Sequence, residues 1–385
     1  MPTKKRILHF IESAGVYGAE RVILNLSLQM QINTSYVPVV GCIVESPEND
    51  SALYDAAVTA GIEAVKIPIA NSRVFTDLPK AAKQLIKLKI HLIHSHGYKP
   101  SVFGFIIRLL TKIPVIATCH LWFEPSKGPL KTRVMIRLEK FFYRWFPKVI
   151  AVSEPIKNIL LNSNLRPSQV AIVRNGVDLP ENISSVDISR LRQELDIKDS
   201  DFCVLNNARL TRQKAQWTLI KAAAILKRQN EHVRILIVGE GPLEKELRTQ
   251  IASENVGDIV QLLGFRTDIN QLLTVSNIFA LPSIDEGMPM ALLEAAAASK
   301  PIISTLVGDI GKLIQHEKTG LVIGTESPSE LASAILRLKN NASLAQQLAH
   351  EAHTLMQQQY SSHAMCSAYI IIYDQLLNNM KSKAQ

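Results

Sequence analysis

Cysteine is scarce in this sequence. The four present, Cys42, Cys119, Cys203 and Cys366, stand far apart in 385 residues and form no C-x-x-C pair. That spacing excludes a disulfide-stapled scaffold and gives no zinc ribbon; it suits buried thiols in a reducing compartment. Long apolar runs are missing too. No stretch approaches the ~18 uncharged residues that a membrane-crossing helix needs. The opening MPTKKRILHFIES is basic, but its apolar run, residues 7–11, is too short for the core of a signal peptide. The expected location is therefore the cytoplasm. No unit of 20–50 residues repeats, which excludes a solenoid. Charged residues make up 20% and apolar ones 47%, the balance of a folded globular chain rather than a disordered one.

Single cores stop growing near ~250–300 residues, so this length predicts two domains. The formal charge of +9 is unevenly spread. Residues 1–180 hold 23 basic and 12 acidic side chains, and the remainder hold 20 and 22. All of the excess basicity thus belongs to the first half, as a solvated basic face or as a surface that meets something anionic.

Short runs rich in Ile and Val alternate with helical patterns. RILHFI, YVPVVGCIV, AVKIPI, IHLIHSH, PVIATCH and KVIAVS are nearly continuous in apolar residues, as strands buried on both faces are. Segments such as ERVILNLSLQMQ and LPKAAKQLIKLK separate them. The alternation predicts an α/β fold with parallel, doubly wound sheets. It breaks between about residues 174 and 200, where the chain turns polar, and restarts with FCVLNNARL, VRILIVGEG, IVQLLGF, IFALPS and PIISTL. The expected organisation is two Rossmann-like domains, residues 1–180 and 181–360, facing across a cleft. The last helix, residues 361–385, is expected to pack back toward the first. Ligands of such sheets sit beyond the carboxyl ends of the strands, so the loops there carry the chemistry.

One loop reads SIDEGMPMALLEAAAASK. Glu286 lies in a turn with Gly287 and Met288, Pro289 opens a helix, and Glu294 follows two turns down. Carboxylates accept hydrogen bonds from paired hydroxyls, and the free N–H groups of a helix start attract oxygen ligands. Alternatively, Glu286 stands beside a cap and Glu294 on an exposed helix face. A second loop, NNARLTRQKAQW, places Arg209 and Lys214 after a strand, where two cations suit a diphosphate; Arg212 between them reads as solvated. The same residues also fit a plain basic surface loop. A third, IESAGVYGAERVI, turns at Gly15 and Gly18 without the third glycine or the later acid of a dinucleotide site. It also fits a tight turn packing helix to strand. VGEGP supplies Gly239 at another strand end. His94, His96 and His120 stand at strand ends; H-x-H could ligate a metal, yet no third ligand is near in sequence. Such a histidine could bind a hydroxyl or move a proton, or be satisfied by backbone. Asp199 and Asp201 form a D-x-D that precedes a strand rather than following one, and read as ordinary loop.

In order, R-L-x-x-x-K at 209–214, V-G-E-G-P at 238–242 and P-S-x-x-E-G-M-P-x-x-x-x-E-A at 282–295 resemble the family 4 retaining glycosyltransferases, which have the two-domain GT-B fold. G-A-E at 18–20, A-V-S-E at 151–154, N-G-V-D at 175–178 and T-G-L at 319–321 extend the likeness over nearly the whole chain. The resemblance implies a catalytic set of Arg209, Lys214, Glu286 and His120. It implies a donor site of Gly15, Gly18, Arg209, Lys214, Gly239, Glu286, Gly287, Met288, Pro289 and Glu294, with Glu286 on sugar hydroxyls, Glu294 on the ribose and the two cations on the diphosphate. The first domain would bind the acceptor and the second the nucleotide-sugar. No metal and no other cofactor is expected.

The implied activity is a retaining, metal-independent transfer from a nucleotide-diphosphate sugar, expected to be a UDP-sugar, to a saccharide acceptor in cell-surface glycan synthesis. A nucleotide-sugar epimerase of the same fold and a non-catalytic nucleotide-sugar-binding protein are the alternatives. Nucleic-acid binding would suit the basic half, yet no module for it is present. One departure stands out: where the family often has V-G-G-x-x-E, this chain has Val307-Gly308-Asp309-Ile310-Gly311-Lys312. Finally, residues 121–148 interleave Lys127, Lys131, Arg133, Arg137, Lys140, Arg144 and Lys148 with Trp122, Phe123, Phe141, Phe142, Tyr143, Trp145 and Phe146. That mixture suits an anionic membrane surface, and with it a lipid-linked acceptor at the inner face of the cytoplasmic membrane. It equally suits aromatics packed in the core with solvated cations around them.

Overall fold

The structure, a computed structural model, describes residues 4–382 apart from 14, 17, 34, 121–129 and 179–183. The chain forms two compact units. One comprises Met1–Gly176 with Ser362–Gln385, the other Val177–Ser361.

In the first unit the strands are β1 (Lys5–Ile11), β2 (Tyr36–Val44), β3 (Ala64–Pro68), β4 (Ile90–His96), β5 (Val115–Cys119), β6 (Val149–Ala151) and β7 (Val170–Ile172). They form one parallel sheet in the order β3-β2-β1-β4-β5-β6-β7. Side chains alternate between the faces of a strand, so each strand serves two cores. Leu8, Phe10, Ile93, Val115 and Ala117 pack with Leu78, Leu85, Phe103 and Ile107 from the helices Val74–Lys87 and Tyr98–Thr111. Ile11, Val40 and Cys42 point the other way, onto Ile23, Leu53 and Ala57. The final helix, Ser362–Ser382, belongs to this unit and packs beside the helix Gly18–Asn33.

The second unit repeats the plan. Its strands are β8 (Phe202–Asn207), β9 (Val233–Val238), β10 (Val260–Leu262), β11 (Ile278–Leu281), β12 (Ile302–Thr305) and β13 (Leu321–Ile323), parallel in the order β10-β9-β8-β11-β12-β13. Leu205, Leu236, Phe279 and Ile302 face one core, while Val204, Ile235, Ile278 and Ile303 face the other. Each such fully buried apolar side chain contributes about 1.5–3 kcal/mol over exposure. The two ends of this unit lie side by side, with Val177 N–H donating to Tyr360 O at 2.9 Å.

Both sheets share the strand order of a doubly wound nucleotide-binding sheet. The order reverses direction at β1/β4 in the first unit and at β8/β11 in the second. At such a switch point the flanking crossover connections run to opposite faces, which opens a crevice at the carboxyl edge. The loops after β1, β8 and β11 are those that carry Gly15 and Gly18, Arg209 and Lys214, and Glu286.

Candidate active site

In the second unit two loops at the switch point are laced together. After β8 the chain passes Arg209 and makes a 3-10 turn, Arg212–Lys214; Ala215 then takes a left-handed conformation (φ 49°) that starts the helix Gln216–Arg228. After β11 comes the loop 282–289. Lys214 Nζ lies 2.5 Å from Glu286 Oε1, and Ser283 Oγ donates to the same oxygen at 2.7 Å. Ile284 N–H donates to Gln213 O at 2.8 Å, and Gln213 Nε2 to Asp285 Oδ2 at 3.2 Å. The Glu286 side chain is 7% exposed and that of Lys214 21%, so the pair is sheltered. A lysine ammonium has three donors, and one spent on Glu286 leaves others for an anion. Arg209 and Arg212 are both exposed, and neither has an ion-pair partner among the described residues.

Gly287, Met288 and Pro289 lead into the helix Met290–Ala297, with Pro289 at its cap. Glu294 is half-buried on that helix rather than on an exposed face. The helix stops at Ala297, short of Lys300, because Ser299 turns left-handed (φ 52°). Lys300 instead donates to Ser276 O at 2.8 Å, and burial pulls its pKa down to about 8.

Two glycines hold these loops in place. A Cβ on Gly239 (φ 131°) would lie 2.2 Å from Ala208 O, so the chain after β9 must be bare for the Arg209 loop to lie on it. A Cβ on Gly308 would meet Glu286 O at 1.9 Å, and Asp309 N–H donates to Gly287 O at 3.0 Å. The buried Gln216 adds a further brace, donating to Arg209 O at 3.1 Å. Ser283, Gln213 and Gln216 were not singled out in the sequence, since polar residues beside a motif carry no distinguishing period. Asp199 and Asp201 lie before β8, at the opposite edge of the sheet. There Asp199 pairs with Arg192 (3.3 Å) and Asp201 accepts from Lys198 N–H (2.9 Å).

In the first unit the turn after β1 brings Gly15 against Ser13, whose Oγ accepts the Gly15 N–H at 3.2 Å. Gly18 opens the helix Gly18–Asn33. His120 follows β5 at the same edge. It is joined to a group that sequence spacing did not reveal. His9 on β1 and His94 and His96 on β4 have ligand nitrogens all within 4.8 Å of one another, so the third histidine absent from the local H-x-H comes from another strand. Burial pulls His9 down to about 3 and His120 to about 4. His94 and His96 are lowered strongly by burial and by their histidine neighbours.

The chain matches the profile described as Glycosyltransferase Family 4 over residues 16–181 and the one described as Glycosyl transferases group 1 over residues 187–354. EpsD of Bacillus subtilis, which carries a glycosyltransferase name, is 30% identical over 304 residues, 75% of this chain and 79% of that protein. The chain belongs to glycosyltransferase family 4. The transferase is also 29% identical over 266 residues to UDP-Gal:alpha-D-GlcNAc-diphosphoundecaprenol alpha-1,3-galactosyltransferase of Escherichia coli, covering 67% of this chain and 69% of that one. Its fold is GT-B: the crystal structure of Anabaena HepE in complex with UDP-glucose aligns with a TM-score of 0.80 at 22% identity, covering 98% of this chain and 99% of that one.

Proposed function

We propose that the transferase is retaining and metal-independent, and that it moves a sugar from a UDP-sugar to a lipid-linked saccharide in cell-surface glycan synthesis. The observation that carries this reading is the Lys214–Glu286 pair at 2.5 Å beside the exposed Arg209, at the switch point of the second sheet. Arg209 and Lys214 neutralise the charge that grows on the departing diphosphate, the role a metal would otherwise fill. Glu286 and the backbone around Gly287 and Met288 hold sugar hydroxyls, and Glu294 holds the ribose. The acceptor hydroxyl bonds to the anomeric carbon from the face the diphosphate leaves, and its proton passes to a phosphate oxygen. UDP and UDP-glucose in the HepE complexes, and UDP-Gal in the name of the E. coli relative, support a UDP-sugar donor.

Support for a lipid-linked acceptor comes from that relative's diphosphoundecaprenol acceptor and from the first unit's surface. Val134, Leu138, Phe141 and Trp145 repeat along one face of the helix Leu130–Tyr143 and its end, and all four are exposed. Arg137 and Arg144 are exposed among them. The same stretch buries Ile136, Tyr143 and Phe146, so its aromatics divide between core and surface. Trp122, Phe123, Lys127 and the side chains of Lys131 and Arg133 lie outside the described residues. Among the described residues no helix is long and apolar enough to cross a membrane, and docking at the inner face of the cytoplasmic membrane would be peripheral.

A panel of UDP-sugars with and without a polyprenyl-diphosphate-linked saccharide tests the reading, with release of UDP and formation of glycosylated lipid as readouts. Acceptor-dependent release of UDP supports it. Donor epimerised without acceptor would make the protein an epimerase, and binding without turnover would make it a sensor.

A further inference from the structure

His9, His96 and His120 form a hydrogen-bonded row across the first sheet. His9 Nδ1 lies 3.2 Å from His96 Nε2, and His96 Nδ1 lies 2.9 Å from His120 Nε2. Strand register produces the row: Ile11 pairs with His96 and His96 with Thr118, so alternate residues of β1, β4 and β5 share one face. His94 sits beneath it with ring centroids 4.2 Å from His96, and is held by Tyr373 OH at Nδ1 and Thr118 Oγ1 at Nε2, both at 2.7 Å. Both His94 nitrogens are thus engaged in hydrogen bonds, so the cluster is read as a hydrogen-bonding device.

A neutral imidazole has one N–H and one lone pair, so each contact in the row takes one proton, and a choice at one end sets the whole. The inner end makes that choice. Among the described residues His9 Nε2 is buried without a partner. If the row donated inward, that atom would carry an N–H with nothing to accept it. If the row donates outward, the atom carries only a lone pair. Orphaned buried N–H groups are the rarer of the two kinds, which favours the outward direction. Nδ1 of His120 has no partner among the described residues and lies at the carboxyl edge of the sheet.

We propose that His9 and His96 are positioning residues that hold His120 as the neutral Nδ1–H tautomer, so that it presents a hydrogen-bond donor, not a general base, to a ligand oxygen. The ligand class is a hydroxyl or phosphoryl oxygen. This deepens the proposed function, because it takes His120 as a ligand-facing residue.

The test is long-range 1H–15N NMR of the full chain labelled with 15N-histidine at pH 7, with the His120 signals identified by their loss in His120→Gln. The expected spectrum has a pyrrole-type Nδ1 and a pyridine-type Nε2 at His120; the reverse assignment overturns the proposal. In His9→Phe the His120 shifts should move toward the average of two tautomers, and kcat/KM should fall about tenfold, the scale of one hydrogen bond. A folded His9→Phe with an unchanged His120 spectrum overturns the positioning role. Should that variant not fold, the wild-type spectrum still decides the tautomer. Failure of the transferase reading would show separately, as absence of acceptor-dependent UDP release.

Discussion

The Lys312 ammonium lies 2.9 Å from the Asp309 carboxylate, across one 3-10 turn. These are the two positions at which the loop departs from the family's V-G-G-x-x-E. Their side chains are paired with each other, so the buried acid that replaces a glycine is neutralised within its own loop. That loop lies directly on the Glu286–Gly287 backbone, which makes its integrity a condition for the candidate donor site.

Lys312→Ala should therefore destabilise the protein by about 1 kcal/mol, the scale of one ion pair, discounted for screening because Lys312 is 32% exposed though Asp309 is only 7%. Asp309→Ala/Lys312→Ala should cost less than the sum of the single changes, with a coupling of about 0.5–3 kcal/mol. Urea unfolding of the four proteins in the cycle measures it. Strict additivity would mean the two residues are independent departures.

Arg209→Ala and Lys214→Ala should each lower turnover roughly 10²–10³-fold at saturating donor, the scale for losing one preorganised charge donor. Lys214→Ala also strips Glu286 of its cationic partner, leaving only the Ser283 hydroxyl on that oxygen, so donor KM should rise in that variant and less in Arg209→Ala. Activity should persist in EDTA. Near-wild-type turnover in both variants would remove the diphosphate assignment, and an EDTA loss reversed by Mg²⁺ or Mn²⁺ would point to a metal.

Acid should unfold the protein early. His9, His94, His96 and His120 are all held neutral in the fold, with His9 at about 3 and His120 at about 4. The unfolded chain binds their protons below about pH 6.5, whereas the folded chain does not. Their contribution to stability is thus complete above pH 6.5 and is lost as pH falls toward 4, at up to about 1.4 kcal/mol per pH unit for each histidine. Thermal melts between pH 8 and 4 should show this decline, and a flat profile from 7 to 5 would contradict the buried neutral state.

The full chain should co-sediment with anionic vesicles at low salt and be released as salt rises, since each basic residue near such a surface adds about 1 kcal/mol that ions screen. Phe141→Ser with Trp145→Ser should weaken binding without unfolding the protein, because both side chains are about half exposed. A protein that stays in the supernatant under these conditions would favour a soluble acceptor.

The α/β architecture was legible from the chain itself. Strands buried on both faces must be apolar at nearly every position, and that requirement places β2 and β4 to the residue. The three-residue β7 and β13 escaped. The position of the loops was legible as well: Arg209, Lys214 and Glu286 all follow strands, at the edge where this fold class puts ligand sites.

Which of those groups touch each other was decided only in three dimensions. The Lys214–Glu286 contact joins residues 72 positions apart, through strands that become neighbours only when the sheet order reverses. Gly239 read as a glycine at a strand end; only the fold shows that the carbonyl of Ala208 occupies the space a side chain there would need. The histidines follow the same rule. Each belongs to an alternating strand pattern visible in the sequence, but their hydrogen bonds depend on the register of β1, β4 and β5. Composition and period determine which residues must be buried; register and strand order determine which buried polar atoms meet.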